Sequence, residues 1–216
     1  MSDTSYNQAL LAFANAGLAA LSEYAAKSSS AKTPAAESHF LCSWMVTALK
    51  ERRFSKLIAD DLTFWIRQAR SMGAAAELKL LLQKISQQYS YIADKQQGLA
   101  ASLKAMLVEL EADDWLIITD QEVTKKLKLA SDGHSSLIIP EDQFQQRIDG
   151  AELVKAITLY VRAPEAAFAA VAYKHDLLLS PGNKKASLIK HHKAYQIWPK
   201  NLQPALSILQ PLINDN

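Results

Sequence analysis

No proline occurs between Pro34 and Pro140, a stretch that covers nearly half of the chain. Proline disrupts the interior of a helix, so long proline-free segments are typical of helical bundles. Apolar residues in this stretch recur every three or four positions, as they do on the buried face of a helix. With 49% hydrophobic and 21% charged residues, the chain has the composition of a folded globular protein. The first half is therefore predicted to be a bundle of helices.

Five helices are predicted from these apolar stripes. Thr33 followed by Pro34 is typical of a helix N-terminus, because threonine can cap free N–H groups and proline needs no hydrogen bond at the first position. Ser55 is expected to cap in the same way, and Gly98 is expected to separate the last two helices. The predicted helices cover approximately residues 4–26, 34–50, 55–72, 78–92 and 99–110.

The pattern changes after Glu111, where short runs rich in β-branched residues replace the helical stripes. The run at 115–118 is expected to be a buried strand, and a capping-box pattern from Thr119 to Glu122 predicts a helix after it. Further strands are predicted at 137–139 and 157–161, with a hairpin that joins 177–179 to 187–197. The predicted helices of this half cover approximately residues 119–129, 140–148, 164–172 and 202–212.

The predicted fold class is therefore mainly α within an α+β protein. An N-terminal helical bundle, residues 1–111, is expected to pack against a small C-terminal α+β region with short strands, residues 112–216. Cys42 is the only cysteine, which excludes an internal disulfide. No apolar run approaches the roughly 20 residues that a membrane span needs, and the first residues lack the basic start of a secretory signal. A cytoplasmic protein with no membrane contact is predicted.

Most catalytic patterns are missing from the sequence. With six glycines, it contains neither of the glycine-rich loops that cradle phosphates, and it has no Gly-x-Ser-x-Gly motif. Cys42 is expected to be buried and inert on the second helix. His191 and His192 are adjacent, so on a strand they would point to opposite faces and could not share a metal ion. No cofactor, metal site or catalytic residue is predicted.

Four acidic residues flank the first predicted strand, where metal-dependent nucleases often place their ligands. Asp113 and Asp114 precede it, and Asp120 and Glu122 follow it. The interpretation of Asp120 and Glu122 as helix-capping residues explains them without a metal and is favoured. A metal-dependent nuclease remains the least favoured hypothesis.

Basic and aromatic residues concentrate near the C-terminus, in a chain whose net charge is only +2. Lysine can neutralise phosphates and aromatic faces can stack on bases, so this run is typical of a nucleic-acid contact. A solvated pair of strands is the more economical interpretation of this run, and a solvated corner is the favoured interpretation of a second basic cluster at the end of the second helix. The predicted binding residues are Lys184, Lys185, Lys190, His191, His192, Lys193, Tyr195 and Trp198, with Arg52 and Arg53 from the second cluster.

Three segments resemble a gammaproteobacterial family of domains of unknown function. They are Phe40–Trp44 ahead of the charges at Lys50–Arg53, Ala156–Arg162, and Lys190–Pro199. The resemblance covers most of the chain and implies no catalytic residue. Members are similar to proteins carried on mobile elements as well as chromosomes, which implies a role in defence, counter-defence or element maintenance.

These observations favour a non-catalytic accessory protein that binds nucleic acid or an acidic protein surface through its basic C-terminal surface. The alternative is a structural subunit or interaction module of a larger complex, because the alanine-rich helices allow close approach to another chain. Histidine ordinarily titrates near pH 6.5, so affinity for a polyanion is expected to rise as the pH falls toward 6. If one ring of the histidine pair is buried, only the exposed ring should respond.

Overall fold

The computed structural model describes residues 4–27, 33–124, 126–127, 133–182 and 188–212. They form two compact units: a helical unit, made of the residues up to Tyr91 together with Pro211 and Leu212, and a sheet unit, Ile92–Gln210. Helices dominate the first unit and short strands in a mixed sheet characterise the second. The predicted α+β fold class is therefore confirmed.

The helices of the first half agree closely with their predicted bounds. Thr33 caps the second helix as predicted, and its side chain accepts a hydrogen bond from the Ala36 N–H at 3.3 Å. Ser55 caps a short 3₁₀ turn, Lys56–Ile58, that leads into the third helix. The helices of this half are α1 (Tyr6–Lys27), α2 (Pro34–Lys50), α3 (Ala59–Met72), α4 (Leu78–Ile92) and α5 (Leu99–Ala112).

Aromatic rings fill the core of the helical unit. Phe13 of α1 is fully buried, and its ring centroid lies 5.4 Å from that of Trp44 and 5.9 Å from that of Trp65. Gly17, one turn further along α1, lets Trp44 and Leu82 approach the helix backbone closely. Interlocked side chains of this kind fix the positions of α1, α2 and α3 relative to one another.

By length and composition, α1 could also cross a membrane, since an 18-residue window within it has a mean hydropathy of 1.3. From the sequence, no membrane-spanning segment is predicted. A helix that supplies a protein core meets the same criterion, and α1 contributes the fully buried side chains of Leu10, Phe13 and Ala14.

The sheet unit contains a five-stranded sheet. Its strands are β1 (Leu116–Gln121), β2 (Ser136–Pro140), β5 (Ile157–Arg162), β6 (Ser180–Pro181) and β7 (Lys193–Ile197), in the order β1-β2-β5-β7-β6. β1 and β2 are parallel, and the other neighbouring strands are antiparallel. A small hairpin, β3 (Ile148–Asp149) with β4 (Glu152–Leu153), stands apart from it. Two further helices of this unit are α6 (Glu141–Gln146) and α7 (Glu165–Lys174).

The core of the sheet unit lies between one face of the sheet and two helices. Leu159 of β5 and Phe168 of α7 are fully buried there, together with Leu103 and Leu110 of α5. A smaller cluster of Ile138, Tyr160 and Ile189 covers the opposite face. α5 thus belongs by its packing to the sheet unit, although the predicted boundary between the two regions lay near residue 111.

Two predicted helices are wrong. Thr119–Gln121 continue β1, and no helix occurs in the described part of 119–129. β1 lies at an edge of the sheet and is only half-buried, so the prediction of a buried strand there is also wrong. Residues 202–212 contain no helix either, because their polar groups bond to the 178–180 segment: the Ile208 N–H donates to the Leu179 carbonyl at 2.8 Å.

Asn201 holds the end of this segment in place. Its side chain is fully buried, and its Oδ1 accepts a hydrogen bond from the Leu178 N–H at 3.0 Å. Its Nδ2 donates to the carbonyls of Lys95 and Asp176 at 2.7 and 2.8 Å. The backbone of Asn201 has a φ of 52°, a left-handed conformation that asparagine tolerates better than most residues. One amide side chain therefore ties three separate stretches of the sheet unit together.

Candidate anion-binding site

The register of the sheet brings one strand end and two strand starts to the same place. Ser136 at the start of β2 pairs with Arg162 at the end of β5, and Lys193 at the start of β7 pairs with Val161. β5 is antiparallel to both β2 and β7, so these strand termini meet at the same end of the sheet. A cavity of about 340 Å³ opens there.

Four side chains that carry or can acquire positive charge line this cavity: His134, Arg162, His191 and Lys193, which we call the basic pocket. All four residues are exposed. Lys193 has an acidic neighbour, because its Nζ lies 3.4 Å from Glu165 Oε2. No carboxylate is among the described residues that line the cavity itself. The electrostatic character of the pocket therefore suits an anion.

A turn presents His191 to the pocket. The His192 N–H donates to the Ile189 carbonyl at 3.2 Å, and His191 has a φ of 66°, in the left-handed region that favours glycine. The Lys190 N–H donates to the Leu127 carbonyl at 2.9 Å, which fixes the turn to the segment after β1. The backbone thus holds an imidazole where glycine would be easiest to accommodate.

His192 supports this turn from the protein interior. It is buried, its Nδ1 lies 3.0 Å from the Lys190 carbonyl and its Nε2 lies 2.9 Å from Ser136 Oγ. Nδ1 must donate to the carbonyl, so in the neutral ring Nε2 accepts from the hydroxyl. Burial lowers the pKa of His192, and the nearby charges of Arg162 and His191 lower it further. His192 is therefore buried behind the turn and is not among the described residues that line the basic pocket.

The two aromatic residues predicted to contact nucleic acid, Tyr195 and Trp198, differ in burial. Tyr195 is buried in the core of the sheet unit, and its hydroxyl donates to Glu165 at 2.8 Å. Burial, followed by this bond to Glu165, raises the pKa of the Tyr195 hydroxyl. Trp198 is half-buried, and its Nε1 is a buried donor without a hydrogen-bond partner among the described residues. A base could not stack on the ring of Tyr195 in this structure.

The structure thus divides the residues predicted from the C-terminal run. It brings His191 and Lys193 to the basic pocket and leaves Lys190 exposed beside them. Lys184 and Lys185 lie outside the described residues. Sequence reasoning missed His134 and Arg162, which come from other elements. Arg162 could have been noticed because it follows the apolar run of β5 directly, at the point where a buried strand reaches solvent.

The second predicted cluster lies in the helical unit. Arg53 Nε forms an ion pair of 2.6 Å with Glu51 at the exposed C-terminus of α2. The neighbouring Arg52 makes no side-chain bond to another described residue and lines a separate, largely apolar cavity. Arg52 and Arg53 therefore lie in the helical unit, and neither is among the residues that line the basic pocket.

The four acidic residues considered as nuclease ligands lie at the end of α5 and on or just after β1. Asp113 and Asp114 end α5: Asp114 has a φ of 60°, and the Trp115 N–H after it donates to the Leu110 carbonyl at 3.0 Å. Asp120 is exposed on β1, and Glu122 is exposed just after it. Across the described parts of the chain, no three histidine, cysteine or acidic side chains gather as a metal site would require.

Comparison with known proteins identifies the family of the chain but attributes no activity to it. No curated protein and no solved structure matches the sequence. Residues 5–210 match the family described as protein of unknown function (DUF2913). This range includes nearly all of both units. The sequence-based expectation of an uncharacterised domain family is therefore confirmed, and the chain belongs to this family.

Proposed function

We propose that the protein binds nucleic acid and that its basic pocket contacts the phosphate backbone of that nucleic acid. The observation that carries the proposal is the convergence of His134, Arg162, His191 and Lys193 on one cavity from three different segments of the chain. Residues so far apart in sequence meet there because the sheet register requires it. Lys190, exposed next to the pocket, would extend the positive surface along a polymer.

The proposed contact recognises phosphate rather than base sequence. Tyr195 is in the core, so the stacking that reads or grips bases is not available from it. Arginine and lysine are the residues that most often bind backbone phosphates, and such contacts carry no direct sequence information. Binding by this mode should be strongly dependent on salt and weakly dependent on sequence.

The wider role is part of the same proposal. A non-catalytic accessory protein of the bacterial cytoplasm, acting in defence or maintenance of mobile elements, fits the resemblance found in the sequence. An acidic protein surface is the alternative partner for the same pocket, since its carboxylates could take the place of phosphates.

A direct binding assay tests the proposal. The full chain is titrated into fluorescent single- and double-stranded DNA and RNA over a series of salt concentrations. The variant carrying Arg162→Glu and Lys193→Glu should lose about tenfold or more in affinity and show a shallower salt slope, since two cations no longer neutralise phosphates. Lys104→Glu is the matched control, because it changes an exposed lysine of α5 that does not line the pocket.

Two outcomes would reject the basic pocket as the site. The first is no binding of any nucleic acid by the parent protein at low salt. The second is a loss of affinity in the Lys104→Glu control that, per reversed charge, equals the loss in the double variant. Capture of an acidic protein in place of nucleic acid, with the same dependence on Arg162 and Lys193, would support the alternative partner.

One observation favours the second candidate function, an interaction module. Three large apolar side chains are exposed on or beside α3: Leu57, Phe64 and Met72, at 50%, 57% and 51%. A contiguous exposed apolar patch is typical of surfaces that contact another protein, and the second candidate function takes these three side chains as parts of one such patch. A strictly monomeric protein that recovers no partner from its host would count against this candidate.

A further inference from the structure

A second cavity, of about 500 Å³, lies in the helical unit between the end of α2 and the start of α3. Its volume falls within the range of small-molecule sites, which are mostly apolar with a few polar groups. We call it the apolar cavity. The apolar residues that line it are Ala48, Leu49, Phe54, Ala59 and Leu62.

Apart from Ser55, the polar residues that line the apolar cavity are basic. Arg52 and Lys56 line it, and both residues are exposed. Neither side chain forms an ion pair or hydrogen bond with another residue that the structure describes. The adjacent acid, Glu51, pairs instead with Arg53. The cavity therefore combines an apolar lining with two cations whose counter-charge is not supplied by the described part of the chain.

The backbone at Arg52 gives a second, independent observation. The Arg53 N–H donates to the Ala48 carbonyl at 3.0 Å and the Arg52 N–H to the Leu49 carbonyl at 3.3 Å, which is the hydrogen-bond pattern of a Schellman helix end. Arg52 occupies the left-handed position of this motif, with a φ of 53°. Glycine is the usual residue there, because any side chain adds strain.

Two other helices of this chain end in the same way. α5 and α7 have Asp114 and Asp176 at the equivalent position, each with a φ of 60°. Aspartate tolerates the left-handed conformation better than arginine, because its short side chain can bond locally. Arg52 therefore strains the end of α2 without a side-chain hydrogen bond to any described residue in return, and its position places a guanidinium at the apolar cavity. Backbone strain of this kind is often kept where a side chain has a role in binding.

We propose that the apolar cavity binds a monocarboxylic acid with an aliphatic tail. The carboxylate lies between Arg52 and Lys56, where the planar guanidinium can donate two parallel hydrogen bonds to it. The tail lies against Phe54 and Leu62. This inference is separate from the proposed nucleic-acid contact, which uses the sheet unit.

Calorimetric titration of the full chain with hexanoate, octanoate and decanoate tests the ligand class. Each additional buried methylene group of the tail should raise the affinity about threefold to fourfold, until the apolar lining is covered. Octanol, which has the tail without the charge, should bind about tenfold more weakly than octanoate or worse, because it cannot make the charge-assisted bonds. No detectable binding of any carboxylate, equal affinity along the series, or equal binding of octanol would overturn the proposal.

Arg52→Gly separates a binding role from a structural one. The glycine removes the backbone strain, so the melting temperature should rise, while octanoate affinity should fall about tenfold or more. Arg53→Gln, which changes the adjacent arginine outside the cavity, should leave octanoate affinity within about twofold of the parent. An Arg52→Gly variant that binds octanoate as the parent does would overturn the assignment of Arg52.

Discussion

Replacing Asn201 with alanine is expected to destabilise the sheet unit by about 3–5 kcal/mol. The variant removes the acceptor of the buried Leu178 N–H, and an unsatisfied buried donor costs about 1–3 kcal/mol. It also removes one donor from each of the carbonyls of Lys95 and Asp176, at about 1 kcal/mol each. Since domains are stable by about 5–15 kcal/mol, the loss should be large.

Two further substitutions at Asn201 separate the causes. Asn201→Gly loses the same hydrogen bonds but accommodates the φ of 52° freely, so it should be about 1 kcal/mol more stable than Asn201→Ala. Asn201→Asp keeps the shape yet faces two carbonyls with a carboxylate oxygen, so it should be at least as destabilising as alanine. The measurement is hydrogen–deuterium exchange of the slowest amides of β5, which reports the opening free energy of the central strand. A loss below about 1 kcal/mol in Asn201→Ala would refute the reasoning that this side chain ties the sheet unit together.

Two other substitutions probe the two units. Burial lowers the pKa of His192 below its ordinary value of about 6.5, so near and below that pH the unfolded chain binds more protons than the folded chain. The stability that neutral His192 contributes is therefore fully present above about pH 6.5 and is lost as the pH falls. The free energy of unfolding, measured from pH 8 to pH 5, should therefore fall more in the parent than in His192→Gln, and parallel curves would contradict this. In the helical unit, a Cβ at Gly17 would lie 2.8 Å from Leu82 Cδ1 and 3.2 Å from Trp44 Cζ3, so Gly17→Val should cost about 1–3 kcal/mol through overpacking. Thermal unfolding measures that cost, and an unchanged midpoint would show that the neighbouring side chains yield freely.

The helices of the first half could be predicted because local chemistry and periodicity agree there. Thr33 and Pro34 mark the start of α2, and Gly98, with a φ of 70°, precedes α5 as expected. The strand at β5 was equally clear, because a continuous apolar run is typical of the centre of a sheet. In these elements the propensity of the segment and its tertiary environment favour the same structure.

The failures occur where tertiary contacts override a local pattern. Thr119–Glu122 has the sequence of a helix cap, yet pairing with β2 extends β1 through Gln121. The stripe at 202–212 resembles a helix, but Gln203 donates to the Leu178 carbonyl at 3.0 Å, so the segment lies beside another stretch of chain. The basic pocket could not be predicted for a related reason, since His134 and Arg162 join it only through the strand register.

The positions of the tryptophans have a further consequence for how the protein can be observed. Trp44 and Trp65 lie in the aromatic core of the helical unit, whereas Trp115 packs near Phe168 and Trp198 follows β7, both in the sheet unit. Each unit thus has its own fluorescent reporters. A variant that keeps only one pair would give the melting curve of one unit alone. If the two curves differ, the chain has no single unfolding free energy, and the effect of any substitution must be assigned to the unit in which it lies.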